Sequence, residues 1–449
     1  MKREDIPEGK TEKFRVGYAR VNITPSEPMD LWGYGAGVRF HEAVLDDIYL
    51  TCTAVTDAQD TTALIYTVDL GAMDLPVAID MRAAVEEATG VSGDYMFVNA
   101  THTHSAPFPK HLHDVLVSAA VQCAKEAMAD RKYADMYFGV TNTKGINFIR
   151  SYYLPDGSVA GVNFGNMTAP EYAGHTSQID EQMRVLRFER EGGKDVVLAN
   201  WQCHPHRTGG SRLHNLSSDI VGRMRQSIEE DLGCLFAYHQ GGAGNIDPIS
   251  WIRSEETNPE RDYKVHGKLM AMHAKEALQN MTQVKPGRIK AVSHTLACKS
   301  NKEDIDKLEM AYKIRDYLFA GHTSLEAKAY AESLNVGINS YYHARDIINR
   351  SKTPPTFDVP FHAVSLGELA WSFVPGEFFD ATLRDIRNNS PYKYNFTSAY
   401  TNDYIGYFPT KEAWKIGGYE VGATKVARGS AEEVKECLLQ MLNKLYREQ

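Results

Sequence analysis

Two histidines, His102 and His104, stand two residues apart in the segment Thr101-His102-Thr103-His104-Ser105, directly after the apolar residues 95–98. In an extended chain, side chains two positions apart project to the same side. Neutral imidazole is a common zinc ligand, so two such rings at the end of a strand can converge on one ion. A pair of histidines in a surface turn has the same spacing, and the motif alone leaves both interpretations equally open.

A second histidine cluster, Asn200-Trp201-Gln202-Cys203-His204-Pro205-His206, follows the apolar residues 196–199. It repeats the arrangement of a buried strand that runs directly into histidines. The ends of strands in open α/β sheets are where functional sites tend to be built, so the two clusters together favour a functional site more than either does alone. We interpret His206, and His214 further along, as solvent-facing loop residues because no spacing requires them in that site.

A run of small residues lies in Gln240-Gly241-Gly242-Ala243-Gly244-Asn245-Ile246-Asp247-Pro248. Such residues let the backbone approach a ligand closely or adopt positive φ values. No Gly-Lys-Ser/Thr follows, so a phosphate-binding P-loop is not indicated. The segment offers backbone N–H groups and one carboxylate, Asp247, although an ordinary tight turn would have the same composition.

A further carboxylate and several tyrosines follow towards the C-terminus. Glu377 comes directly after the apolar residues 373–374 and Pro-Gly, where it could be the third protein ligand of a catalytic zinc or an acid favoured by a helix dipole. Tyr404, Tyr407 and Tyr419 lie in Asn-Asp-Tyr-Ile-Gly-Tyr and Gly-Gly-Tyr-Glu segments. The chain contains 24 tyrosines, so for these three an ordinary role in the core or on the surface would normally be favoured.

The elements that must position these residues alternate between strands and helices. Apolar alternation predicts a β-hairpin over residues 48–55 and 62–68, and further strands at 95–98, 196–201, 235–238 and 363–374. Helical periodicity predicts helices at 75–89, 112–128, 218–232, 261–281, 303–318, 325–348 and 431–446. We therefore predict an α/β fold: one compact domain over residues 1–449, with mixed β-sheets flanked by helices and a helical insertion at about 300–350.

Composition excludes several classes of protein. With 49 Lys and Arg against 58 Asp and Glu, the net charge is −9, which argues against nucleic acid as a partner. Six scattered cysteines without a CxxC pair indicate reduced thiols. No long apolar run predicts a membrane span, and no apolar leader follows the polar N-terminus, so we expect a cytoplasmic protein. A small-molecule substrate is the expected partner, and the oligomeric state stays open.

Taken in order, these motifs resemble those of the catalytic domain of the neutral/alkaline, non-lysosomal ceramidase family. The similarity extends from about residue 15 to the C-terminus. It is carried by segments 16–25, 32–34, 101–105, 147–151, 203–205, 244–248 and 375–377, and by two Gly-Tyr pairs whose tyrosines, Tyr407 and Tyr419, are 12 residues apart.

The resemblance implies a zinc hydrolase with four protein ligands to one Zn²⁺ ion: His102, His204, Glu377 and Tyr407. It also implies three residues that line the substrate carbonyl: His104, Arg150 and Tyr419. General chemistry agrees with that division, because zinc with an open position activates water and polarises a carbonyl. Arg150 and Tyr419 could stabilise the developing oxyanion, and His104 could carry a proton to the leaving group.

Two departures from the family pattern bear on the substrate. Ceramide-cleaving members carry a catalytic serine where this sequence has Asp247, which could instead act as a general base or hold a polar group of the substrate. Those members also carry a C-terminal sandwich domain, whereas this sequence ends with the helix predicted at 431–446. We therefore expect a zinc-dependent hydrolase that cleaves an amide, ester or lactone bond of a small polar substrate. A true ceramidase acting on N-acyl sphingoid bases and a non-catalytic ligand-binding protein remain the alternatives.

Overall fold

The computed structural model describes residues 12–34, 38–161, 172–249, 262–338 and 340–448. The strands are β1 (Phe14–Asn22), β2 (Ala43–Val44), β3 (Tyr49–Thr56), β4 (Thr62–Val68), β5 (Met96–Ala100), β6 (Lys132–Asn142), β7 (Phe148–Ile149), β8 (Ser151–Tyr153), β9 (Val159–Gly161), β10 (Gly174–His175), β11 (Gln182–Arg190), β12 (Val196–Trp201), β13 (Asn215–Leu216), β14 (Leu235–Gln240), β15 (Ile246–Asp247), β16 (Thr282–Val284), β17 (Ile289–Lys299), β18 (Thr356–Leu366), β19 (Leu369–Phe373), β20 (Glu377–Phe378), β21 (Tyr394–Ser398) and β22 (Tyr407–Phe408). The helices are α1 (Leu75–Thr89), α2 (His113–Ala129), α3 (Asp219–Leu232), α4 (Tyr263–Gln279), α5 (Leu308–Phe319), α6 (Ser324–Ser333), α7 (Tyr341–Ser351), α8 (Asp380–Asn389), α9 (Lys411–Ile416), α10 (Tyr419–Ala423) and α11 (Ser430–Arg447).

Two mixed sheets form the centre of the fold. The larger has the strand order β14-β12-β11-β6-β1-β3-β4-β5, with β16 paired to β6. Its β12–β14 and β4–β5 pairs are parallel, and its other pairs are antiparallel. The second sheet has the order β17-β18-β19-β21, in which only β19–β21 is parallel among the described strands. The predicted α/β architecture with mixed sheets flanked by helices is confirmed.

The two sheets pack face to face, and helices cover their outer faces. One apolar core lies between the sheets, where the ring of Phe97 stacks on that of Phe373 with centroids 4.3 Å apart. A second core joins the sheets to the helices; α1 to α4 cover the larger sheet, and α8 and α11 cover the smaller one. Burial of these apolar faces is the main force that holds the four layers together.

Local patterns predicted most of the helices and one hairpin but missed several of the long strands. The β3–β4 hairpin and helices α1, α2, α3, α4 and α11 are confirmed to within about two residues. The predicted helix at 325–348 is wrong as one element, because the chain leaves α6 after Ser333 and Asn335 adopts a positive φ of 51° before α7 begins. Strands β1, β6, β11 and β17 were not predicted.

The predicted helical insertion contains α5, α6 and α7, which lie between β17 and β18. These helices bury a small apolar cluster of their own, which includes Ile314, Ala331 and Ile347. Within the described parts of the chain, no helix has the length and hydropathy needed to cross a bilayer. The six cysteines form no disulfide, as expected; five are buried and Cys437 is half-buried.

The ends of three strands meet at one side of the larger sheet. Strands β5 and β14 are its two edges, and the Asn99 side chain of β5 accepts a hydrogen bond from the Gln240 N–H of β14 at 2.8 Å. Strand β12 runs parallel to β14 and ends beside it. The loops that leave β5, β12 and β14 therefore begin close together, and they carry His102, His204 and Asp247.

Candidate active site

His102 is held rigidly at the exit of β5. It is fully buried, and its backbone has a φ of +70°, which is uncommon for a residue with a side chain. Its Nδ1 lies 2.5 Å from the carbonyl oxygen of Gly71, and the ring of Tyr400 stacks on it at 4.1 Å. A carbonyl can only accept, so Nδ1 carries a proton, and in the tautomer that this contact selects Nε2 presents a lone pair.

His204 is held in the same way at the exit of β12. Its Nδ1 donates to the carbonyl oxygen of Ile246 at 2.9 Å, and the side chain is fully buried. Burial, reinforced by the nearby Arg150 cation, lowers the pKa of His204 to about 3. The ring is therefore neutral at physiological pH, and its Nε2 also offers a lone pair.

Glu377 faces both of these nitrogens. Its Oε2 lies 3.4 Å from His102 Nε2 and 3.2 Å from His204 Nε2, and among the described residues this oxygen has no hydrogen-bond partner. Its Oε1 accepts a hydrogen bond from the hydroxyl of Tyr404. Two lone pairs and a carboxylate oxygen thus point at one another in a buried space. Such a set of acceptors fits a divalent cation with nitrogen and oxygen ligands, such as zinc.

Tyr407 reaches the site because β20 and β22 pair in parallel, with Glu377 opposite Tyr407. Its hydroxyl oxygen accepts a hydrogen bond from Arg150 Nη2 at 3.1 Å. Burial and the neighbouring Glu377 carboxylate raise the pKa of Tyr407 well above its usual value. Its ring lies 5.5 Å from that of Tyr419, so both tyrosines predicted from the sequence stand beside the same arginine.

Arg150 enters the site through a short strand pair. Strand β7 pairs with β15, and the Arg150 N–H donates to the carbonyl oxygen of Asn245 at 3.0 Å. Its Nη1 lies 3.5 Å from His204 Nε2, and its guanidinium carbon lies 5.8 Å from the ring centre of Tyr419. The cation is therefore next to the group of acceptors, where it could stabilise negative charge on a substrate oxygen.

His104 completes the histidine cluster. Its Nε2 lies 3.4 Å from His102 Nε2, and the ligand nitrogens of His102, His104 and His204 all lie within 4.8 Å of one another. Burial and the adjacent His102 lower the pKa of His104 well below its usual value. The two histidines of the motif thus lie side by side, with ring centroids 5.0 Å apart.

The interpretation of His206 as a solvent-facing loop residue is wrong. Its side chain is only 17% exposed, and its Nε2 lies 2.9 Å from Asp247 Oδ1. The Tyr34 hydroxyl donates to the His206 carbonyl at 2.5 Å, and the His206 ring lies 5.5 Å from that of His104. Burial alone would raise the pKa of Asp247, but His206 lowers it below its usual value, so Asp247 is ionised. By contrast, His214 is exposed, as predicted.

Sequence reasoning assigned no role in the site to Tyr404 or to Glu420, although Tyr404 contacts Glu377 and Glu420 contacts Arg150. Both lie inside segments that were singled out for another tyrosine. Their position next to the singled-out tyrosines was the one indication in the sequence. Neither a tyrosine that contacts Glu377 nor an acid that contacts Arg150 has a characteristic spacing. Glu377 lies in a strand three residues before α8 begins, so the alternative of an acid in the first turn of that helix does not apply.

Gly376 positions Glu377 and gives a direct test of this geometry. Its φ is +80°, and a Cβ there would lie 2.5 Å from the Gly406 carbonyl oxygen. Gly376→Ala should therefore displace Glu377, lower the melting temperature and lower the amount of zinc bound per chain. Gly157 has a similar φ of +82° but open space around it. Gly157→Ala should cost only about 1 kcal/mol of backbone strain and leave zinc binding unchanged. Equal zinc binding by the two variants would contradict the geometry.

The fold defined by these sheets, helices and strand ends is that of neutral ceramidases, which confirms the resemblance predicted from the motifs. The crystal structure of neutral ceramidase from Pseudomonas aeruginosa matches with a TM-score of 0.75 and 16% sequence identity, over 98% of this chain and 75% of that chain. A structure of a ceramidase complexed with C2 matches with a TM-score of 0.72 and 17% identity, over 98% of this chain and 76% of that one. No protein-family model matches this chain.

Proposed function

We propose that the protein is a zinc-dependent hydrolase that cleaves an amide bond, or an ester or lactone bond, of a small polar substrate with a metal-activated water. The observation that carries this proposal is the convergence of His102 Nε2, His204 Nε2 and Glu377 Oε2 in a buried space. The fold of neutral ceramidases supports the same class of chemistry.

In this proposal, zinc is held by His102, His204, Glu377 and Tyr407. The bound ion would lower the pKa of a water molecule to about 7 and polarise the substrate carbonyl. The carbonyls of Gly71 and Ile246 keep both histidines in the tautomer that leaves Nε2 available. Tyr404 fixes the Glu377 carboxylate through its other oxygen.

The remaining residues would hold the substrate and move protons. Arg150 and the Tyr419 hydroxyl would donate hydrogen bonds to the carbonyl oxygen as negative charge develops on it. Asp247, ionised beside His206, would accept the proton of the attacking water. His104, neutral because its pKa is lowered, would take up that proton from Asp247 and deliver it to the leaving group, which returns both residues to their starting states.

The character of the substrate follows from Asp247. A buried carboxylate beside a histidine favours a substrate with hydroxyl or amine groups near the scissile bond, because such groups can pair with it. The fold of neutral ceramidases favours a second candidate substrate class, the N-acyl sphingoid bases. The aromatic rings of Trp32 and Tyr34 against His104 could contact either substrate.

The test is a hydrolysis panel with the full, zinc-loaded chain. It would include an N-acetylated amino acid, an N-acetylated amino sugar, a p-nitrophenyl ester, a lactone and N-acyl sphingosine. We expect the highest kcat/KM for a polar substrate, loss of turnover with a chelator, and recovery when zinc is restored. Hydrolysis of N-acyl sphingosine alone would establish the ceramidase alternative. Stoichiometric zinc without any turnover would favour a non-catalytic ligand-binding protein.

A further inference from the structure

The guanidinium of Arg150 is fixed from two directions. Its Nε donates to Glu420 Oε1 at 2.5 Å, and its Nη2 donates to the Gly244 carbonyl oxygen at 2.7 Å and to the Tyr407 hydroxyl at 3.1 Å. The guanidinium is planar and rigid, so fixing Nε and Nη2 also fixes the direction of Nη1. That remaining nitrogen lies beside His204 Nε2, on the side of the candidate metal site.

The ion pair between Arg150 and Glu420 is buried. The two residues are 2% and 4% exposed, so neither charge is screened well by solvent. A divalent cation held by His204 would repel the guanidinium, whose Nη1 is 3.5 Å from that ligand nitrogen. Glu420 attracts the guanidinium at its other end, which opposes this repulsion. Without a carboxylate at position 420, this repulsion would favour a position of the Arg150 guanidinium farther from the metal site.

A cavity lies next to the ion pair between Arg150 and Glu420. This cavity of about 280 Å³ is lined by Glu420, by Asn245 and by Ile149 and Ser151, the two neighbours of Arg150 in sequence. Arg150 itself does not line this cavity, so the cavity adjoins the ion pair on the side of Glu420. The direction of the guanidinium depends on its hydrogen bonds to Glu420, to the Gly244 carbonyl and to the Tyr407 hydroxyl. Of these three partners, Glu420 is the carboxylate, and hydrogen bonds between charged groups are the strong ones.

We propose that Glu420 is a positioning residue, which orients Arg150 so that Nη1 donates to the substrate carbonyl. This inference rests on the proposed function for the role of Arg150, although the orientation itself can be measured without activity. It predicts that removal of the Glu420 charge lowers kcat far more than it changes KM, because the lost interaction strengthens only as charge develops on the substrate oxygen.

The first experiment measures the orientation directly. The Nε–H resonance of Arg150 would be recorded by ¹H–¹⁵N NMR in the zinc-loaded chain labelled at arginine Nε, and assigned by its absence in Arg150→Lys. In Glu420→Gln we expect this resonance to shift and its exchange with water to become faster. An unchanged resonance would overturn the proposal, whether or not the protein hydrolyses any substrate in the panel.

The second experiment measures catalysis with the best substrate of the panel. Glu420→Gln should lower kcat by about 10²-fold with little change in KM or in zinc per chain, and Glu420→Asp should recover part of the loss. Arg150→Lys combined with Glu420→Gln should be no slower than Arg150→Lys alone. Multiplicative losses would overturn the proposal. If Glu420→Gln does not fold, the same comparison is made with Glu420→Asp.

A matched control breaks a different ion pair of a buried arginine. Arg190 is 3% exposed in its side chain and pairs with Asp130, which lies at the end of α2 and contacts none of the site residues described above. Asp130→Asn should lower thermal stability and leave kcat unchanged. A loss of kcat equal to that in Glu420→Gln would mean that the effect reports general destabilisation, and would overturn the positioning role.

Discussion

His204→Ala should abolish both zinc binding and hydrolysis. His204 is fully buried, its Nδ1 is fixed by the Ile246 carbonyl, and its Nε2 faces Glu377 and Arg150. Loss of the ring would remove one of the proposed zinc ligands. The Glu377 carboxylate and the Arg150 cation would remain without the imidazole that lies between them. Removing a partner in the outer shell of a metal site typically costs 10- to 100-fold in affinity, so loss of a direct ligand should cost more than about 100-fold.

The measurement is zinc per chain by elemental mass spectrometry after dialysis against zinc at a fixed low concentration, together with hydrolysis of the panel. His214→Ala is the matched control, because His214 lies on the same stretch of chain but is exposed and contacts only the Phe40 carbonyl and Glu42 among the described residues. It should bind zinc and hydrolyse substrate like the unchanged protein. Stoichiometric zinc in His204→Ala would show that the metal centre is not the one proposed.

The fold was predictable where its signals are local. The β3–β4 hairpin joins neighbouring segments, and α1 ends at Gly90, which adopts the left-handed conformation typical of a helix end. Strands β1 and β6 pair with segments far away in the sequence, and β11 pairs with the distant β6 as well as with its neighbour β12. The tendency of a segment to form a strand depends on such neighbours, so these central strands could not be identified from their own residues.

In the candidate site too, residues with a local sequence signal could be predicted and residues without one could not. His102 and His204 follow apolar strands, and this local pattern was sufficient to single them out as candidates. The pairs His206–Asp247 and Arg150–Glu420 join residues 41 and 270 positions apart, which no spacing rule connects. The resemblance indicated Arg150 and Tyr419, but it assigned no role to Glu420. Residues that orient others are therefore visible only once the fold brings them together.

Asp247→Asn should lower turnover by about 10²- to 10⁴-fold while zinc per chain stays unchanged. Asp247 is buried beside His206, and the asparagine keeps its shape but cannot accept a proton from water. His206 lowers the pKa of Asp247 below its usual value of 3.8. The carboxylate of the unchanged protein is therefore ionised throughout the neutral range, and turnover should not fall through its protonation until the pH drops below that value.

The substitution Asp247→Ser separates two roles for this position. Serine is the residue that the resemblance places here in ceramide-cleaving members, and its hydroxyl can hold a polar group but is a poor base at neutral pH. If Asp247 accepts the proton of the attacking water, Asp247→Ser should be as slow as Asp247→Asn. If Asp247 only holds a polar group of the substrate, Asp247→Ser should recover much of kcat, and the loss in Asp247→Asn should appear mainly in KM. Unchanged turnover in both variants would make Asp247 a structural turn residue. The proton would then have to go to another group of the site, for which His104 is a candidate.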